Sequence, residues 1–236
     1  MADEIKKEEK RKIYYIFSPF LRIFHWIMVV SITVLFITGL LITTPYLTYS
    51  AEPTTSWMSL DWIRNIHFLF AYIFTASFIL RIYGFIINRG DRLFPHFWKG
   101  YFYKNSIEVA MHYMFLKFEH RPFLRNPLAR GAYAMIYVLV AIEIVTGFGI
   151  YYMTDTSSIG GMAFGWVVPF LGSEYMAHLI HHYVAWGIVL SALGHIYMVI
   201  RAEFMEGEGE VSSMFAGTKM FHHEPFDAGH LDGSLK

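Results

Sequence analysis

The residues in this chain most able to do chemistry are histidines. Of twelve, His25, His67, His178, His181 and His195 lie in or beside long apolar stretches, with His182 adjacent. An ionisable side chain is costly to bury there, so each is a functional candidate. Depth links four of them in pairs. His25 stands near the start of the first stretch, His67 near the start of the second, and the fourth contains both His181 and His195. If successive stretches run in opposite directions, His67 pairs with His181 on one side of a bilayer and His25 with His195 on the other. Two imidazoles facing each other between helices at one depth supply both axial ligands of a haem iron. His181 and His195 are fourteen residues apart, a rise of about 21 Å that returns to within about 40° of the same helix face. A mononuclear zinc or copper site wants its ligands at one depth. The interval fits two separate bulky cofactors instead.

A second regularity accompanies the first. Arg22 precedes His25 by three residues and Arg64 precedes His67 by three, in "RIFHW" and "RNIHF". Each arginine stands one turn toward water from its histidine, where haem propionates would emerge and a guanidinium would pair with them. Gly39 follows His25 by fourteen residues; it leaves room for a porphyrin edge or lets helices pack closely through a small residue. The competing reading is that each histidine hydrogen-bonds a neighbouring helix. His178 and His182 compete with His181, position 182 facing about 100° away. His96, His112, His120, His222, His223 and His230 fall in loops or tail, where solvated surface is the ordinary role.

The elements that must position these histidines are apolar helices. Of 236 residues, 55% are hydrophobic and only 16% charged, a combination that points away from a water-soluble domain. Four stretches reach the length a bilayer requires, at about 23–44, 66–87, 132–153 and 177–200. "GGMAFGWVVPFLG" (160–172) is too short and too rich in Gly to span, and reads as an interfacial loop segment. The charged N-terminus followed by a full-length span is unlike a cleaved signal peptide. The chain has no cysteine, which excludes thiolate-held iron–sulfur clusters, covalent c-type haem and disulfides. Lys and Arg crowd the N-terminus, the loop between spans two and three, and the stretch after span four, whereas loops 45–65 and 154–176 contain only Arg64. By the positive-inside rule both termini and the middle loop are cytoplasmic.

The expected architecture is all-α, an integral membrane four-helix bundle over residues 1–205 with a cytoplasmic C-terminal tail over 206–236. The middle loop carries "HFWKGYFYKNSIEVAMHYMFLKFEH" (96–120), aromatic and basic at helical spacing, which predicts an interfacial amphipathic helix. Asn126 and Pro127 predict a cap and first turn for the third span. The tail, with "EGEGE" and "FHHEPFDAGHLDG", reads as solvated and partly flexible. There is no repeat of a soluble kind, but spans one and three share the echo "FITGLLI" and "IVTGFGI".

These residues also carry a resemblance. "RIFHWIMVVSITVLFITG" resembles the first-helix signature of the cytochrome b subunit of membrane-bound nickel–iron hydrogenases. "HHYVAWGIVLSALGHIYMVIRAE" is similar to that family's fourth-helix signature, and "RNPLA" before span three also looks like it. Ser191 stands where the pattern usually has Phe, and "HLI" precedes His181 where another triplet is usual. The resemblance covers most of residues 18–205.

The resemblance implies a di-haem membrane anchor with His25, His67, His181 and His195 as ligands of two haem b. It implies the small and large subunits of a periplasmic hydrogenase as partners and membrane quinone as electron acceptor, in a bacterial cytoplasmic membrane. The related anchors of formate dehydrogenases and of thiosulfate or other molybdoenzyme complexes share the plan and are the alternative. The chain itself does no chemistry on hydrogen, and no nucleic-acid partner is expected; the oligomer of the complex is left open. Candidate groups for quinone, by depth and chemistry, are His112, His120, Asn126, Arg130, Tyr137 and Tyr197. Glu143, near the middle of span three, should be protonated or hydrogen-bonded. It relays protons or bonds a neighbouring helix, and sequence does not separate the two. A haem-free anchor or transporter is the remaining class.

Overall fold

The computed structural model describes residues 12–44, 59–88, 95–117, 123 and 126–221. Four helices dominate: α1 (Pro19–Thr43), α2 (Leu60–Ile87), α4 (Pro127–Tyr151) and α7 (Glu174–Glu206). All four are long and apolar enough to cross a bilayer. Between α2 and α4 lies α3 (Gly100–Tyr113), and between α4 and α7 lie the short α5 (Ile159–Phe164) and α6 (Val167–Leu171). After α7 come α8 (Glu210–Ala216) and β2 (Thr218–Phe221), which pairs antiparallel with β1 (Lys12–Tyr15).

Each long helix begins a few residues before the apolar stretch it contains, and the caps explain why. Ser18, Ser59 and Ser173 accept hydrogen bonds from the backbone N–H of Leu21 (3.2 Å), Trp62 (3.3 Å) and Met176 (3.2 Å). Asn126 accepts from Leu128 (2.9 Å) and Ala129 (3.3 Å). Such caps satisfy N–H groups that the first turn leaves without partners. Pro19 and Pro127 occupy the first helical position, where a missing N–H does no harm. Hydropathy marks the membrane-crossing part of a helix, whereas capping chemistry marks its end.

The described chain falls into two compact units. One comprises Ile23–Tyr83 and Ala134–Leu193 and is a four-helix bundle. Its core is Phe74 and Phe78 of α2, Val140 of α4 and Ile188 of α7, with Met28, Ile32 and Leu35 of α1 packed against them. Phe36 of α1 meets Trp186 of α7 edge to face at 5.0 Å. Outward faces stay apolar: Ile23, Val30 and Ile37 recur every seventh residue of α1 and are 63%, 53% and 53% exposed. Aliphatic faces of that kind belong in hydrocarbon rather than water. Phe148 of α4 stacks on Phe164 of α5 at 5.1 Å. A Cβ at Gly149 would lie 2.7 Å from Val167, so glycine is what lets α6 approach α4.

The other unit comprises Met1–Arg22, Gly84–Tyr133 and Gly194–Lys236, to the extent these are described. Here α3 is amphipathic: it buries Phe102, Val109, His112 and Tyr113 and exposes Tyr101, Tyr103 and Ile107. Val109 and Tyr113 pack with Ala202 of α7 and Leu128 of α4. The stretch after Arg201 carries more structure than its composition suggests. Lys219 of β2 is buried against Glu208 (3.4 Å) and Glu210, and the N–H groups of Ile16 and Phe17 donate to the Gly217 carbonyl (2.8 and 3.2 Å). Gly217 has φ 84°, a left-handed conformation that favours glycine. Residues far apart in sequence make this small sheet, so neither end of the chain announces it alone.

Candidate functional site

His67 is the eighth residue of α2 and His181 the eighth of α7. Both therefore sit about 10 Å in from the first residues of their helices, and both belong to the four-helix unit. Each ring is met by a threonine of a different helix. Thr38 Oγ1 of α1 lies 2.8 Å from His67 Nδ1, and Thr146 Oγ1 of α4 lies 3.1 Å from His181 Nδ1. The glycine after each threonine faces the same ring. A Cβ built on Gly39 would stand 3.6 Å from His67 Cε1, and one on Gly147 would stand 3.0 Å from His181 Cε1. The shared "ITG" and "VTG" of spans one and three are thus two copies of one contact. The two threonines and Gly147 were missed from sequence, although the echo was visible.

His178 and His182 turn elsewhere. Nδ1 of His178 donates to the Glu174 carbonyl of its own helix (3.0 Å), and Nε2 of His182 accepts from Trp186 Nε1–H (3.2 Å). Glu143, one turn before Gly147, places Oε1 3.3 Å from His181 Nε2. Its Oε2 is buried with no hydrogen-bond partner.

His25 stands in α1 with its ring edge to face on Trp26 at 5.3 Å. It belongs to the four-helix unit, and His195 of α7 to the other. The Arg22 guanidinium donates to the Phe215 carbonyl of α8, and Arg64 stands over the Phe68 ring, 5.7 Å from its centroid. Among the candidate quinone groups, several gather at the C-terminal end of α3. Asn126 Nδ2 donates to the Tyr113 hydroxyl (3.1 Å) and the Tyr197 hydroxyl to the Tyr113 carbonyl (3.3 Å). His112 is buried, its Nδ1–H donating to the Lys117 carbonyl (3.0 Å), while its own carbonyl accepts from Arg201 (2.7 Å). Arg130 lies one turn into α4. Tyr137 is apart, packed on Phe78 in the four-helix unit with Arg81 6.0 Å from its ring centre. His120 lies outside the described residues.

The arrangement fits axial ligation of a haem. With Nδ1 of His67 and of His181 engaged by a hydroxyl, Nε2 is the nitrogen of each ring left to meet a metal. Iron at Nε2 of His181 would replace its contact with Glu143. No side chain grows from Gly39 or Gly147 toward the rings, which would leave room for a flat macrocycle there.

Residues 16–217 match a family model described as prokaryotic cytochrome b561. The chain is 32% identical over 219 residues to a probable Ni/Fe-hydrogenase B-type cytochrome subunit of Cupriavidus necator, covering 89% of this chain and 88% of that one. It is 29% identical over 228 residues to the corresponding protein of Rhodobacter capsulatus, covering 93% and 86%. With a probable Ni/Fe-hydrogenase 1 B-type cytochrome subunit of Escherichia coli K12 the identity is 30% over 225 residues, covering 90% and 93%.

Proposed function

This chain belongs to the prokaryotic cytochrome b561 family, and on that premise we propose that it is the b-type cytochrome of a nickel–iron hydrogenase, anchoring that enzyme in the membrane. His67 and His181 would hold one haem b and His25 and His195 a second. Bound haem supplies one-electron transfer between a hydrogenase on the outer side and membrane quinone. Imidazole ligands would suit that task, since a pair of them would leave iron no open site for a substrate. The observation that carries the reading is that His67 and His181 each stand eighth in a long helix of one bundle, each with Nδ1 turned to a threonine of another helix.

The protein's own groups hold and neutralise. Arg64, three residues before His67, is the candidate partner for propionates at the outer side, and Arg22 at the inner side. Quinone is assigned to the cytoplasmic side, where His112, Asn126, Arg130 and Tyr197 are the candidate donors, with His120 and Tyr137 as further candidates. The distribution of Lys and Arg supports an inner-membrane protein with both termini in the cytoplasm.

The test is a pyridine haemochrome count and a reduced-minus-oxidised spectrum on protein purified in detergent, with His25→Ala and His181→Ala alongside. Two haems per chain, about one lost in each variant, and a nickel–iron large subunit co-purifying are the expected results. A colourless protein, or a count that neither substitution changes, overturns the ligand assignment. Co-purification with a molybdoenzyme instead keeps the haems and replaces the partner.

A further inference from the structure

We infer that Thr38 and Thr146 are positioning residues that fix His67 and His181 as Nδ1–H tautomers and so set how strongly each Nε2 donates to a metal. The inference rests on the reading of these two histidines as haem ligands. A threonine hydroxyl has one proton to give. That of Thr38 is directed at the carbonyls of Val34 (2.7 Å) and Leu35 (3.2 Å) of its own helix. That of Thr146 is directed at those of Ile142 (2.8 Å) and Glu143 (3.2 Å). What each oxygen offers the neighbouring histidine is therefore a lone pair, and only an N–H at Nδ1 makes a bond with it. An imidazole protonated at Nδ1 carries its own lone pair on Nε2.

Back-bonding to the fourth preceding carbonyl is ordinary for threonine in a helix. Thr33, Thr43 and Thr44 do it at exposed positions. Thr38 and Thr146 differ in being buried, 7% and 3% exposed, and in receiving a histidine from the next long helix. Their placement is also matched: each stands five residues before the last residue of its helix, and each histidine seven after the first of its own. One device has been built twice, once by α1 with α2 and once by α4 with α7. An acceptor at the remote N–H makes an imidazole a more basic ligand and holds its ring in one orientation. The greater basicity favours ferric over ferrous iron.

The experiment uses full-length protein purified with its haem. Thr38→Val and Thr146→Val remove the hydroxyl at nearly constant shape, Thr38→Ser and Thr146→Ser restore it, and Thr33→Val is the exposed control. Midpoint potentials are read by spectroelectrochemical titration, ligand field by low-temperature electron paramagnetic resonance, and occupancy by the haemochrome. Each Val variant should raise the potential of one haem, by about tenfold in its ferric–ferrous equilibrium, or ~59 mV for one electron. The second haem and the Thr33→Val protein should be unchanged, and the Ser variants should return to the wild-type value. Loss of one haem in a Val variant with recovery in its Ser counterpart also supports the role. Unchanged potentials and spectra in both Val variants overturn it, as does equal haem loss in Val and Ser, which would mean packing rather than the hydroxyl. Retention of both haems in His181→Ala overturns the ligand reading itself, and the same preparations reveal it.

Discussion

What each ring nitrogen meets separates three neighbours on α7. His178 and His182 are engaged within the helix, whereas His181 reaches Thr146 and Glu143 on α4. The expected outcome is that His178→Ala and His182→Ala each keep the full haem count of the parent, while His181→Ala loses about one. A haemochrome assay on the three variants decides it, and loss in the His182 variant would move the ligand by one position. Glu143 is the residue whose meaning changes most between sequence and structure. A carboxyl in mid-span needs a partner. It has found one at His181 Nε2, the atom that metal would claim.

Among elements, the glycines of α1 and α4 control how near a helix backbone comes to each ring. Gly39 has ordinary van der Waals clearance for one more carbon, but Gly147 does not, at 3.6 and 3.0 Å. The His181 ring has little freedom to retreat, being held at Nδ1 by Thr146 and approached at Nε2 by Glu143. Gly147→Ala should therefore lower haem occupancy or shift a haem potential, and Gly39→Ala should leave both close to the parent. Equal behaviour of the two variants would show that the clearance has no bearing on the site. Fourteen residues after His181 the fourth span has His195, but fourteen after His67 the second span has Arg81, which is buried.

For the whole molecule, the distribution of charge makes the strongest statement, and the lack of cysteine makes it simple to test. Single cysteines introduced at Ser157 and at Lys104 would be the only thiols in the chain. A membrane-impermeant maleimide added to intact cells, with access to the periplasm, should label Ser157→Cys. Lys104→Cys should be labelled only after the membrane is opened. The reverse pattern would invert the topology and with it the side from which a hydrogenase partner docks. The α3 helix and its preceding loop bear on the same point: Trp98 is 83% exposed and Tyr101 54%, aromatic rings suited to the interface between headgroups and hydrocarbon.

Number, order and approximate extent of the spans were legible in the sequence, because crossing a bilayer demands a long apolar run whatever packs beside it. The cap at Asn126 and the amphipathic α3 were legible for the same reason: both are local. That His67 and His181 each fall two turns into a long helix was legible too, since rise per residue is fixed along a helix. Their orientation could not be read. Which face of α1 meets α2, and so that Thr38 rather than Gly39 bonds His67, depends on the rotation of each helix in the bundle. For α1 that rotation puts Met28, Ile32 and Leu35 against Phe74, Phe78, Val140 and Ile188. The pairing of β1 with β2 likewise joins residues separated by most of the chain. Local chemistry wrote the helices and their ends; contacts across 29 and 35 residues of sequence, available only once the helices pack, brought each histidine to a threonine of another helix.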